Sequence, residues 1–167
     1  MDLKFDERGY LHPYGRIPLS LEKFEELFVT NFSKDSNRND LFEKLQKYLL
    51  AFQNEVTPNF IVWINGSFVT KKLNPGDIDM VSLVDFEIIR QHAMVIREKF
   101  KGNGAISQFG IDAYILEIFP EGHENHFFST SDKAFWHDWF SATKINRAKK
   151  RIPKGYVEIQ FKTSENG

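Results

Sequence analysis

Apolar positions along the chain fall into two rhythms, one of helical stripes and one of short strand-like runs. After Ser20, Leu21, Phe24, Leu27, Phe28 and Phe32 recur at helical spacing, and Ser20 is a residue type that caps a helix start. A polar break from Lys34 to Asn39 precedes a second stripe of Leu41, Phe42, Leu45, Tyr48, Leu49 and Phe52. Pro58 closes that connection. Phe60-Ile61-Val62-Trp63-Ile64 then reads as a buried strand, being short, β-branched and aromatic. Asn74-Pro75-Gly76 turns the chain into another apolar run, Ile78 to Val84. Asp85 is placed to cap a helix whose apolar members are Ile88, Ile89, Ala93, Met94, Ile96 and Phe100. Gly102-Asn103-Gly104 is expected to stop that helix, since these residues accept a positive φ. A third strand is expected over Ile111 to Phe119, ended by Pro120. A short aromatic helix is expected around Phe135, Trp136, Trp139 and Phe140. Tyr156 to Phe161 alternates cleanly and predicts a fourth, half-exposed strand.

Gly9, Pro13, Gly15 and Pro18 mark residues 1–19 as an irregular arm. Residues 20–161 are then one domain, with 162–167 a disordered tail. The fold class predicted is α/β (α+β): a mixed sheet of about four strands flanked by helices. A chain of 167 residues, 17 of them phenylalanine, has enough apolar matter for a real core. With no cysteine, disulfides, thiolate metal sites and cysteine nucleophiles are excluded. A formal charge of −1 supplies no global field for capturing nucleic acid, though local patches remain open. No apolar run approaches the roughly 20 residues of a membrane helix, and Met1-Asp2-Leu3-Lys4-Phe5 carries no secretory signal. The expectation is a cytoplasmic chain with no membrane partner, in which the sequon Asn65-Gly66-Ser67 is a chance match.

The chemistry gathers where the first strand ends. Gly66 lacks a Cβ and lets backbone approach a ligand closely. Ser67 follows at a turn or helix start, where free N–H groups and a hydroxyl meet phosphate oxygens. Lys71 and Lys72, one turn on, are placed to neutralise outer phosphates. Asp77 and Asp79 alternate with Ile78 and Met80, so both acids face one side of a strand, their Cα atoms roughly 6–7 Å apart. Two such carboxylates repel unless one is protonated or a cation lies between them. A hard ion with oxygen ligands, Mg²⁺ or Mn²⁺ in its place, suits that pair. A third acid is sought on a neighbouring strand. Asp112, between Gly110-Ile111 and Ala113-Tyr114, is preferred to Glu117, which faces the opposite side of a regular strand.

This arrangement resembles the polymerase-β-like nucleotidyltransferase superfamily. The stretch that carries the likeness is Ile64-Asn65-Gly66-Ser67, nine intervening residues, Asp77-Ile78-Asp79-Met80, and then Asp112. It covers about Phe60 to Tyr114. The arm, Trp63 to Thr70 and Lys154 to Ile159 look like small uncharacterised bacterial members. The resemblance implies that Gly66 and Ser67 bind nucleotide phosphates and that Asp77, Asp79 and Asp112 bind Mg²⁺ and carry catalysis. It implies transfer of a nucleoside monophosphate from an NTP, such as ATP, to a hydroxyl on a protein or RNA. It also implies, for small members, a place in toxin–antitoxin pairs. Many minimal members place an arginine soon after the Gly-Ser pair, where this chain has Phe68-Val69-Thr70-Lys71-Lys72. A second class of function is a catalytically silent module of the same fold, antitoxin-like or RNA-binding.

Other motifs carry less. His123 and His126 have the spacing of a metal pair but sit in a polar stretch with no third ligand, which favours a solvated loop. Lys144, Arg147, Lys149, Lys150 and Arg151 form a basic run that is either a solvated face or a patch for nucleotide phosphate or nucleic acid. Phe135, Trp136, Trp139 and Phe140 precede it, and packing on the sheet is their favoured role over base stacking.

Overall fold

The computed structural model describes residues 3–164. It begins with a small hairpin, β1 (Lys4–Phe5) and β2 (Leu11–His12), followed by β3 (Gly15–Pro18). Helix α1 (Leu21–Glu25) continues as a π-helical turn over Glu26–Thr30, and α2 (Arg38–Glu55) follows. Then come β4 (Phe60–Asn65), a 3₁₀ turn over Ser67–Val69, and β5 (Asp79–Asp85). Helices α3 (Phe86–Gln91), α4 (Ala93–Val95, continued as a π-helical turn over Ile96–Phe100) and α5 (Gly102–Phe109) lead to β6 (Asp112–Ile118). Helix α6 (His126–Phe140) and β7 (Gly155–Phe161) complete the domain. No helix among the described residues is long and apolar enough to cross a membrane.

The main sheet has five strands in the order β3-β7-β4-β5-β6, and β1 and β2 pair separately. Pairing is parallel at both edges, β3 with β7 and β5 with β6, and antiparallel in the centre. Alternation along the strands sends Val62, Ile64, Met80, Val157 and Ile159 into a large core with α1, α2 and α5. Trp63, Val81, Leu83, Leu116 and Tyr156 face the other way and meet Phe140 and Trp136 of α6. The mixed α/β class is therefore as expected, with one strand more than counted.

Several local expectations hold for the stated reasons. The Ser20 side chain accepts from the Lys23 amide, and the Asp85 side chain accepts from the amides of Glu87 and Ile88. The six apolar residues of the α2 stripe are all buried. Others need correction. The arm is not irregular throughout, because β3 joins the sheet beside β7 and Tyr10 bridges to Thr70. Gly102-Asn103-Gly104 opens α5 rather than ending a helix, so a whole helix lies where a stop was expected. The aromatic helix starts nine residues before Phe135, at His126. Ser129 ties it to β6, accepting from the Phe119 amide at 2.7 Å and donating to the Glu117 carbonyl at 3.1 Å. Strand β7 is mostly buried instead of half-exposed, since it lies between β3 and β4 under α6. Of the expected tail, Lys162 to Ser164 lie outside any helix or strand, and residues 165–167 lie outside the described residues.

Arg38, at the start of α2, is fully buried and has no carboxylate partner among the described residues. Its guanidinium donates to the carbonyls of Phe28 at 2.9 Å, Phe68 at 2.7 Å, Thr70 at 2.7 Å and Lys72 at 3.1 Å. It lies 3.8 Å from the centre of the Phe32 ring. Burial draws its pKa down to about 10, which leaves it charged near neutrality. One side chain thus fixes the π-helical turn after α1 and the whole segment after the Gly-Ser pair. Arg38→Met, which keeps the apolar stem and removes five donors, is expected to lower unfolding free energy by about 3 kcal/mol. Urea denaturation measures this, and a loss of a few tenths would contradict the clamp.

Candidate functional site

The register of two strands builds the site. Asp79 opens β5 and pairs with Asp112, the first residue of β6, in a parallel ladder. On the other side of β5, Asp79 pairs with Asn65, the last residue of β4. Asp79 and Asn65 share strand parity with the residues that face α6, so the polar cluster caps that face of the sheet. Asp77 stands just before β5, in the order exposed, buried, half-buried, buried from Asp77 to Met80. The alternation expected for the two acids is present, although the strand begins at the second of them.

Burial raises the Asp79 pKa to about 6, with the charges of Asp77 and Asp112 pushing the same way and Lys154 and Lys144 opposing. Asp112 in turn raises the pKa of the Tyr114 hydroxyl. Lys154, half-buried just before β7, has its pKa lowered by burial, against the pull of Asp79. Glu117 is exposed toward the far end of β6, so Asp112 is the acid that register brings to Asp79.

Gly66 has φ +84°, and a Cβ placed there would come within 2.9 Å of Asp79 Oδ2. The position therefore excludes a side chain twice, by backbone conformation and by the carboxylate behind it. Ser67 starts the 3₁₀ turn, and its hydroxyl accepts from the Gly76 amide at 3.2 Å, tying the turn to the loop that returns to Asp77. Gly66, Ser67, Lys71 and Lys72 line one cleft of about 690 Å³. Arg8 and Tyr10 of the N-terminal hairpin, and Lys144 and Lys154 from the other side of the chain, complete its wall. Five cations face one acid, Glu7, in that lining, and the volume suits a nucleotide-sized ligand. The three aspartates do not line it. They adjoin it through Gly66 and through the charges of Lys144 and Lys154.

Among the described residues, no three His, Cys, Asp or Glu side chains are gathered to hold a metal as they stand. The donor set still has the chemistry of a hard cation. It is all oxygen, its half-buried carboxylate is crowded by two others, and Asn65 Oδ1 beside it is buried without a hydrogen-bond partner. Carboxylates without counter-charge repel, and a cation is what would draw them together.

Asn65, Arg8, Tyr10 and Lys154 are site residues that sequence reasoning missed. Asn65 had a signal, as a polar residue closing an apolar run at the parity of Asp79. Lys154 stands directly before an alternating strand. Arg8 and Tyr10 had none, because only the fold brings the hairpin over the loop, where the Lys71 amide donates to the Gly9 carbonyl at 2.8 Å. His123 and His126 are half-buried rather than fully solvated, His123 in the loop and His126 at the first position of α6. His123 packs 4.9 Å from the Phe86 ring and accepts from the Asn125 amide, and His126 Nδ1 lies 2.9 Å from the Phe119 carbonyl oxygen. Both serve the start of α6.

The chain belongs to a family of unknown function, DUF6932, whose profile matches residues 3–160. Comparisons with curated proteins and with solved structures found no match.

The Asp79 pKa carries a sign that thermal melting reads. Folding raises it from 3.8 to about 6, so the ionised form is disfavoured in the folded chain. The folded state then holds more protons than the unfolded one between about pH 4 and pH 6, and this group's effect on stability worsens as pH rises through that window. Asp79→Asn is expected to raise the melting temperature at about pH 8 and to change it little below about pH 4. A variant less stable than the parent at the higher pH would contradict the crowding.

Proposed function

We propose that the protein is a metal-dependent nucleotidyltransferase, moving a nucleoside monophosphate from an NTP to an acceptor hydroxyl and releasing pyrophosphate. One observation carries the reading: parallel pairing sets Asp79 against Asp112, with Asp77 beside them, adjoining a cation-lined cleft to which Gly66 and Ser67 contribute. Clustered carboxylates next to a cleft for polyanions have no use in packing, and they are costly there.

Mg²⁺, or Mn²⁺, would be held by Asp77, Asp79 and Asp112 and would supply the positive charge that neutralises them and polarises a phosphoryl oxygen. The chain's own residues do the rest. The Ser67 turn and Lys71, Lys72, Lys144 and Lys154 take the triphosphate's charge. Gly66 keeps that turn against Asp79, so the phosphates lie beside the acids. The acceptor oxygen bonds to the α-phosphorus as the bridge to the β-phosphate breaks, and its proton leaves to the carboxylate cluster. No arginine stands in the five residues after Ser67, and Arg38 works from behind, holding the backbone that presents Lys71 and Lys72. An acceptor on a partner protein, as in a toxin–antitoxin pair, is compatible with the exposed aromatics Phe127, Phe128, Phe135 and Trp139 on α6. The same aromatics favour the second reading, a silent docking module.

With each labelled NTP and Mg²⁺, the full chain is expected to release pyrophosphate and transfer label. Asp79→Ala or Asp112→Ala is expected to reduce the rate at least about 100-fold without loss of folding. Gly66→Ala, which pushes a methyl against Asp79, is expected to do nearly as much. Absence of turnover with every nucleotide, together with no Mg²⁺-dependent rise in melting temperature, would leave only the docking module.

A further inference from the structure

We propose that the groove along the free edge of β6 binds single-stranded RNA and presents its terminal ribose to the three aspartates. This deepens the transferase reading and, in its acceptor role, rests on it. Strand β6 ends the sheet, with β5 its single strand neighbour. The groove there, of about 410 Å³, is lined by Arg97, Lys101, Tyr114 and Trp136 together with Gly102, Ala113 and Ile115. Arg97 and Lys101 are exposed and form no ion pair among the described residues. Tyr114 is 45 % exposed, and its ring lies 4.9 Å from that of Trp136. Phe135, 61 % exposed, continues the aromatic surface at 5.8 Å from Trp136.

Two ring faces and two unpaired cations in one groove are what a single strand requires: planes for bases and charges for phosphates. A peptide added to the β6 edge would use its backbone groups, leaving both cations and both rings without a task. Tyr114 lies two residues from Asp112 on the same face of β6, so a base stacked on it brings its own sugar toward the acids. RNA fits better than DNA because its terminal ribose offers two adjacent hydroxyls to that cluster. A second cationic element lies beside the nucleotide cleft. Residues 142–153 fold back on themselves, with Ala142 bridged to Pro153 and the Thr143 amide donating to the Ile152 carbonyl at 2.9 Å. Lys144, Arg147, Lys149 and Lys150 are exposed at its tip, and no acid occurs between Asp138 and Glu158. With a net charge of −1, attraction comes from these local groups alone, so binding weakens steeply with salt.

The test is fluorescence anisotropy of the full chain with a labelled RNA of about ten nucleotides, without NTP, over a salt series. The parent is expected to bind RNA more tightly than DNA of the same sequence. Tyr114→Leu is expected to weaken RNA binding about tenfold, and Tyr114→Phe, which keeps the ring, to restore it. Arg97→Gln with Lys101→Gln is expected to weaken binding and to flatten the log–log salt slope by about 1.4. Thermal melts establish that each variant is folded. No RNA binding by the parent, equal affinity for DNA, or affinity unmoved by these folded variants would overturn the proposal. Side-chain-dependent RNA binding by a chain that transfers no nucleotide would remove the transferase reading and keep the groove as an RNA site. Transfer to a protein without RNA binding would do the reverse.

Discussion

Two carboxylates at the same level of adjacent parallel strands are an unfavourable arrangement, and the molecule is organised around the one at Asp79 and Asp112. In a parallel pair the register cannot slip by one residue without turning every side chain to the other face. Such a slip would put Val81 and Leu83 among α2 and α5 and send Met80 and Val84 to α6. The two apolar cores therefore lock the acids into proximity. The repulsion is a consequence of a register that hydrophobic burial enforces. Asn65, across β5, adds a buried oxygen without a donor to the same spot.

The Gly66-Ser67 side of the cleft depends on a different device. The segment from Phe68 to Lys72 has little regular structure beyond its 3₁₀ turn, and loops of that kind are mobile unless their carbonyls are engaged. Arg38 engages three of them from inside the protein. A guanidinium suits this work because it presents several donors in a fixed plane, which an ammonium does not. The N-terminal hairpin closes over the same segment from outside, through Tyr10 and the Gly9 carbonyl. Lys71 and Lys72 are thus carried on backbone held from both sides while their side chains remain free for the cleft.

What the sequence disclosed follows from how local each feature is. The α2 stripe, the Ser20 and Asp85 caps and the strands around Trp63 and Asp79 are set by spacing within a few residues, and they stand where expected. Asp112 was reachable because a lone acid in an apolar strand asks for a partner. Helix α5 was not legible, because Gly102-Asn103-Gly104 has the composition of a helix stop. Its tolerance there comes from tertiary fit: a Cβ on Gly104 would collide with the Glu98 carbonyl. The burial of β7 was not legible either, since its alternation is genuine and only its place between β3 and β4 covers the second face. Arg38 fell within the polar break Lys34 to Asn39, with nothing local to mark its carbonyl partners at Phe68, Thr70 and Lys72, 30 or more residues away.

The two edges of the sheet differ in how their charges are engaged. At the β3 edge, Arg16 lies 5.6 Å over the Trp63 ring and 3.6 Å from Glu158, so the charges near that strand are engaged within the fold. At the β6 edge, Arg97 and Lys101 have no such partner among the described residues, and Tyr114 stands open two residues from Asp112. An exposed strand edge invites unwanted pairing unless charge or cover protects it. Two cations and an aromatic pair supply that protection at β6, and they do so near the Asp79 and Asp112 pair. Attraction between those cations and the acids is weakened by solvent rather than satisfied by contact. A polyanion laid along the edge would therefore take the cations without first breaking an ion pair, which is what the proposed RNA site requires.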